Sequence, residues 1–178
     1  MTVLCRYCLD ITSAINFIHR NRIVHLDLKP SNIVITPQDT CKLVDFGCCR
    51  SLDDVHSCPR SPGRRSELTG TFAYRAPELF RGMDPTSKAD IYSLGIVLWQ
   101  LLTRDVPYAM ESQHVVIFRV VAQGLRPQIP DWIEDPAVSS GLKCYRNLFV
   151  TCWNSAPECR PSAQGAHAAL SAIRCTYD

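Results

Sequence analysis

Leu4, Cys8, Ile11, Ile15 and Ile18 recur at spacings of three and four residues. That period predicts an amphipathic helix over 4–18, ended by His19-Arg20-Asn21. Ile23-Val24-His25 is short and β-branched and reads as a brief strand. Ile33-Val34-Ile35 and Cys41-Lys42-Leu43-Val44 flank the turn residues Pro37-Gln38-Asp39-Thr40, which predicts a small hairpin. From 87 to 103 the chain is apolar on nearly every helical face, so that helix is buried all round and forms the axis of the fold. Each large side chain it removes from water contributes roughly 1.5–3 kcal/mol. Further helices are expected over 111–123, closed by Gly124, over 140–153, and over 162–174, opened by Pro161. Residues 48–69 show no period and read as a long mobile loop, of the kind that is functional or disordered. The expected class is mainly α with a small β-hairpin.

Composition narrows the function. The 178 residues are 46% hydrophobic and 20% charged, which excludes global disorder. Nineteen basic residues against 17 acidic ones leave a net charge of +2. No overall field draws the chain to nucleic acid or to a membrane, and neither is expected as a partner. Ten cysteines would suggest disulfides in a secreted protein. The first residues, however, do not read as a signal peptide, because Arg6 and Asp10 interrupt the apolar run. The longest apolar stretch, 89–102, contains Asp90 and Gly95 and is too short for a bilayer. Reduced thiols and a cytoplasmic location are expected. Cys5 and Cys8 form a C-x-x-C without a second pair, on a helical stretch, and read as packed thiols rather than metal ligands. Cys48/Cys49 and Cys152/Cys159 likewise lack partner spacing.

The chemistry concentrates around the first short strand. Asp27, Lys29 and Asn32 share one loop, and Asp45 closes the hairpin that leaves it. Two carboxylates, an amide and an ammonium therefore converge at one end of the hairpin. This donor set suits a hard cation such as Mg²⁺, which takes few protein ligands and keeps phosphate oxygens and waters.

His25-Leu26-Asp27-Leu28-Lys29-Pro30-Ser31-Asn32, Asp45-Phe46-Gly47 and Ala76-Pro77-Glu78 follow one another in the order of the protein-kinase motifs. Gly70-Thr71 with Tyr74, Asp90 at the start of the buried helix, and Cys152-Trp153 ahead of Pro157, Arg160 and Pro161 extend the match. In this order and at these spacings the set is specific. The chain resembles the C-terminal, helical lobe of a eukaryotic protein kinase along essentially its whole length. The resemblance implies a partial kinase domain over 1–178, with a catalytic loop at 25–32, an activation segment at 45–78 and a helical substrate-docking region at 79–174. It implies ATP and Mg²⁺ as cofactors and a protein as substrate. Asp27 would orient the substrate hydroxyl and accept its proton, Asp45 and Asn32 would hold Mg²⁺, and Lys29 would neutralise the γ-phosphoryl. Thr71 would brace Asp27 and Lys29. Glu78 would pair with Arg160 as a structural ion pair. Asp90 would cap the buried helix and also tie down the catalytic loop. Asp-Leu-Lys-Pro-Ser-Asn and Gly-Thr-Phe-Ala-Tyr follow the serine/threonine pattern rather than the tyrosine one.

His25 reads as a packed, hydrogen-bonded histidine. Arg60, Arg64 and Arg65 beside Ser66 read as a solvated basic loop more readily than as a phosphorylation site. His25-Leu26-Asp27, Asp45-Phe46-Gly47-Cys48, Lys88-Ala89-Asp90-Ile91-Tyr92-Ser93 and the stretch 113–127 resemble the Mos family in particular. That likeness implies a MAP kinase kinase as substrate and a role in meiotic maturation.

The sequence contains no G-x-G-x-x-G and no V-A-I-K. By the resemblance the N-terminal lobe is absent, and the chain alone is expected to be poorly active. It reads as part of an active kinase, as a catalytically dead lobe serving as a docking scaffold, or as the product of a decayed gene. The intact Asp27, Lys29, Asn32 and Asp45 favour the first.

Leu26 stands where such kinases usually carry an arginine, whose charge a loop phosphate neutralises. Leu26 has no charge to neutralise, so activity should depend only weakly on loop phosphorylation. Alanine replacement of Ser57, Ser61, Ser66 and Thr69 should leave most of the kinase activity, and its abolition by these changes would refute the expectation.

Overall fold

Helix α1 (Thr2–Arg20) extends the expected span by two residues at each end. Cys5, Cys8, Ile11, Ile15 and Ile18 form its buried face, with Thr12 among them. The computed structural model describes residues 1–53 and 72–177. After α1 come strands β1 (Ile23–Val24), β2 (Ile33–Ile35), β3 (Cys41–Leu43) and β4 (Arg50–Ser51). The expected hairpin is present: β2 and β3 pair antiparallel, with Ile33 opposite Leu43 and Ile35 opposite Cys41.

One expectation is corrected. The expected loop at 48–69 does not begin as loop. Cys48 completes a 3₁₀ turn, and β4 pairs antiparallel with β1, Val24 opposite Arg50. Two residues are too few to reveal a period, and this strand exists because β1 offers unpaired backbone groups.

The helical remainder comprises α2 (Pro77–Phe80), α3 (Ser87–Thr103), α4 (Gln113–Gln123), α5 (Asp131–Glu134), α6 (Ser140–Cys152) and α7 (Ala163–Arg174). The short α2 and α5 were not legible in the periodicity. Every residue of α3 from Ala89 to Trp99 is buried, as its uniform apolarity implied. The Thr86 hydroxyl caps α3 by accepting from the Lys88 N–H at 3.3 Å. Gly124 ends α4 at φ 68°, a left-handed conformation that favours glycine. The Ser162 hydroxyl caps α7 through the Gly165 N–H at 3.0 Å.

Helix α1 packs on α3 and α7, and α6 packs on α3 and α7. At Gly95 the α3 backbone meets α6 without an intervening side chain. A Cβ there would lie 2.9 Å from the Trp153 nitrogen and 3.0 Å from the Phe149 carbonyl. Phe149 and Trp153 stack edge to face beside this crossing, 4.9 Å between centroids. Among the described residues no helix is long and apolar enough to cross a membrane.

Among the described residues no disulfide joins two cysteines, and no group of histidine, cysteine and carboxylate side chains is placed to hold a metal. Cys5 and Cys8 fill the interior, as their helical spacing suggested. Burial pushes the Cys8 thiol up to about 12, partly opposed by its hydrogen bond with the Tyr145 hydroxyl. Burial does the same to Cys152, also to about 12. In the unfolded chain both thiols ionise near 9.0. Between these values the unfolded state loses protons that the folded state keeps, so stability is full below pH 9 and declines as the pH rises toward 12. The urea midpoint should therefore be lower at about pH 10.5 than at about pH 8, and a Cys8→Ala/Cys152→Ala variant should show a smaller drop.

Candidate active site

Asp90, in the first turn of α3, is completely buried. Its carboxylate faces the loop after β1. Oδ2 accepts from the His25 N–H and Oδ1 from the Leu26 N–H, each at 2.8 Å. His19 Nε2 lies 2.8 Å from Oδ2. Leu26 is held at φ 64°, a left-handed conformation costing a bulky residue roughly 1–2 kcal/mol. Asp90 thus ties down the loop through two backbone N–H groups. It does not cap the helix, because Thr86 already does so.

His25 is buried and packed, with its ring satisfied on both sides. Nδ1 accepts from the Asp27 N–H at 3.3 Å, and Nε2 donates to the Val44 carbonyl at 3.2 Å. The Phe46 ring meets its edge at 5.2 Å. The reach from His25 to Val44 is the first link between the loop and the far end of the hairpin.

Pro30 opens a 3₁₀ turn, Pro30–Asn32, where its fixed φ suits the first position. The turn folds Asn32 back onto Asp27. The Asn32 amide donates to the Asp27 carbonyl at 2.8 Å and to Asp27 Oδ2 at 2.9 Å. The Lys29 ammonium reaches the same Oδ2 at 2.8 Å. Asp27 is only 7% exposed. Its other oxygen, Oδ1, is buried, and no described residue donates to it. The carboxylate is thus divided: one oxygen is neutralised and fixed, and the other is an uncommitted acceptor.

Asp45 arrives by the hairpin. The Val44 N–H donates to the Asn32 carbonyl at 2.9 Å, which closes the last rung and leaves Asp45 next in line. Asp45 is exposed and left-handed at φ 63°, a conformation aspartate tolerates. Its Oδ1 accepts from the Gly47 N–H at 3.3 Å, and a Cβ on Gly47 would sit 3.2 Å from that oxygen. Asp27, Lys29 and Asn32 are thus in direct contact, and Asp45 joins them through one backbone rung.

These residues fit Mg²⁺. The nitrogen of the Asn32 amide is spent on Asp27, so its oxygen is the remaining ligand atom, and the Asp45 carboxylate is open. Two hard oxygen donors suit an ion that completes its shell with phosphate and water, and a denser cluster is not required.

Glu78 and Arg160 form an ion pair. It is buried and bidentate, at 2.6 and 2.8 Å. Arg160 also donates to the Asn154 and Lys88 carbonyls at 2.8 and 2.9 Å, and its guanidinium covers the Tyr92 ring. Thr71, with Gly70, the basic cluster Arg60, Arg64 and Arg65, and Ser57, Ser61, Ser66 and Thr69, lies outside the described residues.

Sequence reading overlooked His19, whose only visible role was to end a helix. It also overlooked Cys49, whose thiol donates to the His25 carbonyl at 3.7 Å. Burial, and then the charges of Asp90, Cys48 and Asp45, push that thiol up to about 11. No spacing signal marks either residue.

Comparison with known proteins bears on this geometry. Residues 2–170 match the family model described as protein kinase domain. The serine/threonine-protein kinase mos of Patiria pectinifera is 48% identical over 159 residues, covering 89% of this chain and 43% of that protein. The proto-oncogene serine/threonine-protein kinase mos of Sus scrofa is 45% identical, covering 89% and 44%. Its counterpart in Mus musculus is 41% identical over 169 residues, covering 95% and 48%. The chain spans less than half the length of these relatives.

Removing the Asp90 carboxylate strands the buried His25 N–H and the part-buried Leu26 N–H and releases a strained loop. Asp90→Ala should lower the unfolding free energy by about 3–5 kcal/mol in urea titrations. A loss below about 1 kcal/mol would mean that the carboxylate is not the anchor of the loop.

Proposed function

The chain belongs to the protein kinase domain family, and on that premise we propose that it carries the catalytic loop of a Mos-like serine/threonine kinase. The reaction moves the γ-phosphoryl group of ATP to a serine or threonine hydroxyl of a protein. The observation that carries this reading is the divided carboxylate of Asp27, buried, with Oδ2 held by Lys29 and Asn32 and Oδ1 uncommitted among the described residues.

Asp27 Oδ1 accepts the substrate hydroxyl, orients its oxygen toward phosphorus and takes its proton as the new O–P bond forms. The bond between the γ-phosphorus and the oxygen of the departing ADP breaks. Lys29 already stands at Asp27 and supplies positive charge beside the transferring group. Asn32 and Asp45 would hold Mg²⁺, which when bound neutralises phosphate oxygens. Lys29 two residues after Asp27, within Asp-Leu-Lys-Pro-Ser-Asn, supports a serine/threonine acceptor. The Mos likeness supports a MAP kinase kinase as the protein substrate and a role in meiotic maturation, while Arg6 and Asp10, which interrupt the first apolar run, support a cytoplasmic location. A Gly-rich loop and a strand lysine, which the 178 residues do not contain, would come from an N-terminal lobe.

The test places residues 1–178 behind the N-terminal part of the Sus scrofa relative and measures ATP-dependent phosphorylation of a MAP kinase kinase. The chimera should be active, and Asp27→Asn should lower its turnover by roughly 10²–10⁴-fold or more with little change in melting temperature. Full activity of the Asp27→Asn chimera would remove Asp27 from the chemistry.

A further inference from the structure

The hairpin that delivers Asp45 is slight. Its strands have three residues each, and a hairpin of that size is marginal alone. Neither face is well covered there: Val34 and Ile35, which point to opposite sides of the strand, are 42% and 58% exposed. Yet Asn32 enters it and Asp45 leaves it, so its tilt sets how far apart these two stand.

Helix α1 grips this hairpin from outside. In the β2–β3 ladder Val34 and Lys42 form a hydrogen-bonded pair, as the bonds on either side require: Thr36 N–H to the Thr40 carbonyl at 2.9 Å and Val44 N–H to the Asn32 carbonyl at 2.9 Å. By alternation the Cys41 N–H points away from β2. Asp10 takes it, with Oδ2 at 2.9 Å. One turn back on the same helix, the Tyr7 hydroxyl donates to Asp39 Oδ1 at 2.5 Å, and Arg6 pairs with Asp39 Oδ2. Asp39 is the left-handed residue of the turn, at φ 58°. Arg6, Tyr7 and Asp10 therefore hold the turn and the start of β3, while the core side of α1 is occupied elsewhere.

We infer that Asp10 is a positioning residue for the cation site. It fixes β3, β3 fixes the Val44–Asn32 rung, and that rung sets Asp45 against Asn32. The Asp39 clamp holds the turn so that this setting is transmitted rather than absorbed. This rests on the reading of Asn32 and Asp45 as Mg²⁺ ligands.

The full chain is tested as Asp10→Ala, as Asp10→Asn, whose carbonyl still accepts from Cys41, and as Asp45→Asn. Hydrogen exchange at the Val44 amide and Mn²⁺ affinity in the presence of ATP, from the electron-spin signal of free Mn²⁺, are both measured. Asp10→Ala should speed Val44 exchange by about tenfold and weaken Mn²⁺ binding by about three- to tenfold. Asp10→Asn should restore both to within about twofold. Unchanged Val44 exchange in Asp10→Ala overturns the inference whatever the metal does. Faster exchange with full Mn²⁺ affinity also overturns it. Mn²⁺ binding that is absent in the wild type, or unaffected by Asp45→Asn, instead overturns the assignment of the ligands, and this inference falls with it.

Discussion

A single buried carboxylate organises this molecule. Asp90 accepts from two consecutive backbone N–H groups, His25 and Leu26, and faces His19 as well. An unpaired charge buried in a helix start would be costly, and these three partners are what make it tolerable. In return the loop is held in a shape it would not adopt unaided, with Leu26 on the left-handed side of backbone space. Everything that follows on the loop, including the direction of Asp27, inherits that shape.

The same helix anchors the other half. Lys88, two residues before Asp90, gives its carbonyl to Arg160 and extends its ammonium to the Arg160 and Pro161 carbonyls. Arg160 in turn holds Glu78 at the start of α2. Tyr92 lies under both Arg160 and Arg126, at 5.1 and 4.9 Å. Ser93 donates to the Tyr74 carbonyl at 2.7 Å, and the Tyr74 hydroxyl reaches Gln100 at 2.6 Å. The turn that leads into α2 is thus pinned along α3. One rigid axis positions both the loop that carries Asp27 and the segment leading into α2, which is how packed elements keep distant groups in register.

Charge in the site is finely divided. Lys29 and Asn32 both act on one oxygen of Asp27, so the other keeps its acceptor character. Leu26 adds no charge at the position beside it. The Cys49 thiol, pushed up by burial and by nearby carboxylates, stays protonated at neutral pH and adds none either. Among the described residues Lys29 at Asp27, the Asp90 carboxylate under the loop and Arg75 within coulombic reach of Asp27 shape the local field, which phosphate oxygens and a divalent cation would complement.

Much of this was legible beforehand. The period of three and four gave α1, uniform apolarity gave the buried α3, and Pro37 to Thr40 gave the hairpin, because burial imposes those repeats on any chain that folds this way. The motif order also anticipated that Asp27, Lys29 and Asn32 meet in one loop with Asp45 one backbone rung away. Three things were decided only in space. β4 needed the edge of β1 to exist at all. Asp90 proved to serve the loop while Thr86 took the cap. The partnerships of His19 with Asp90 and of Asp10 with Cys41 join residues 71 and 31 positions apart. Linear order records what a side chain is able to do, whereas long-range hydrogen bonds depend on where packing brings its partner, and no local pattern encodes that.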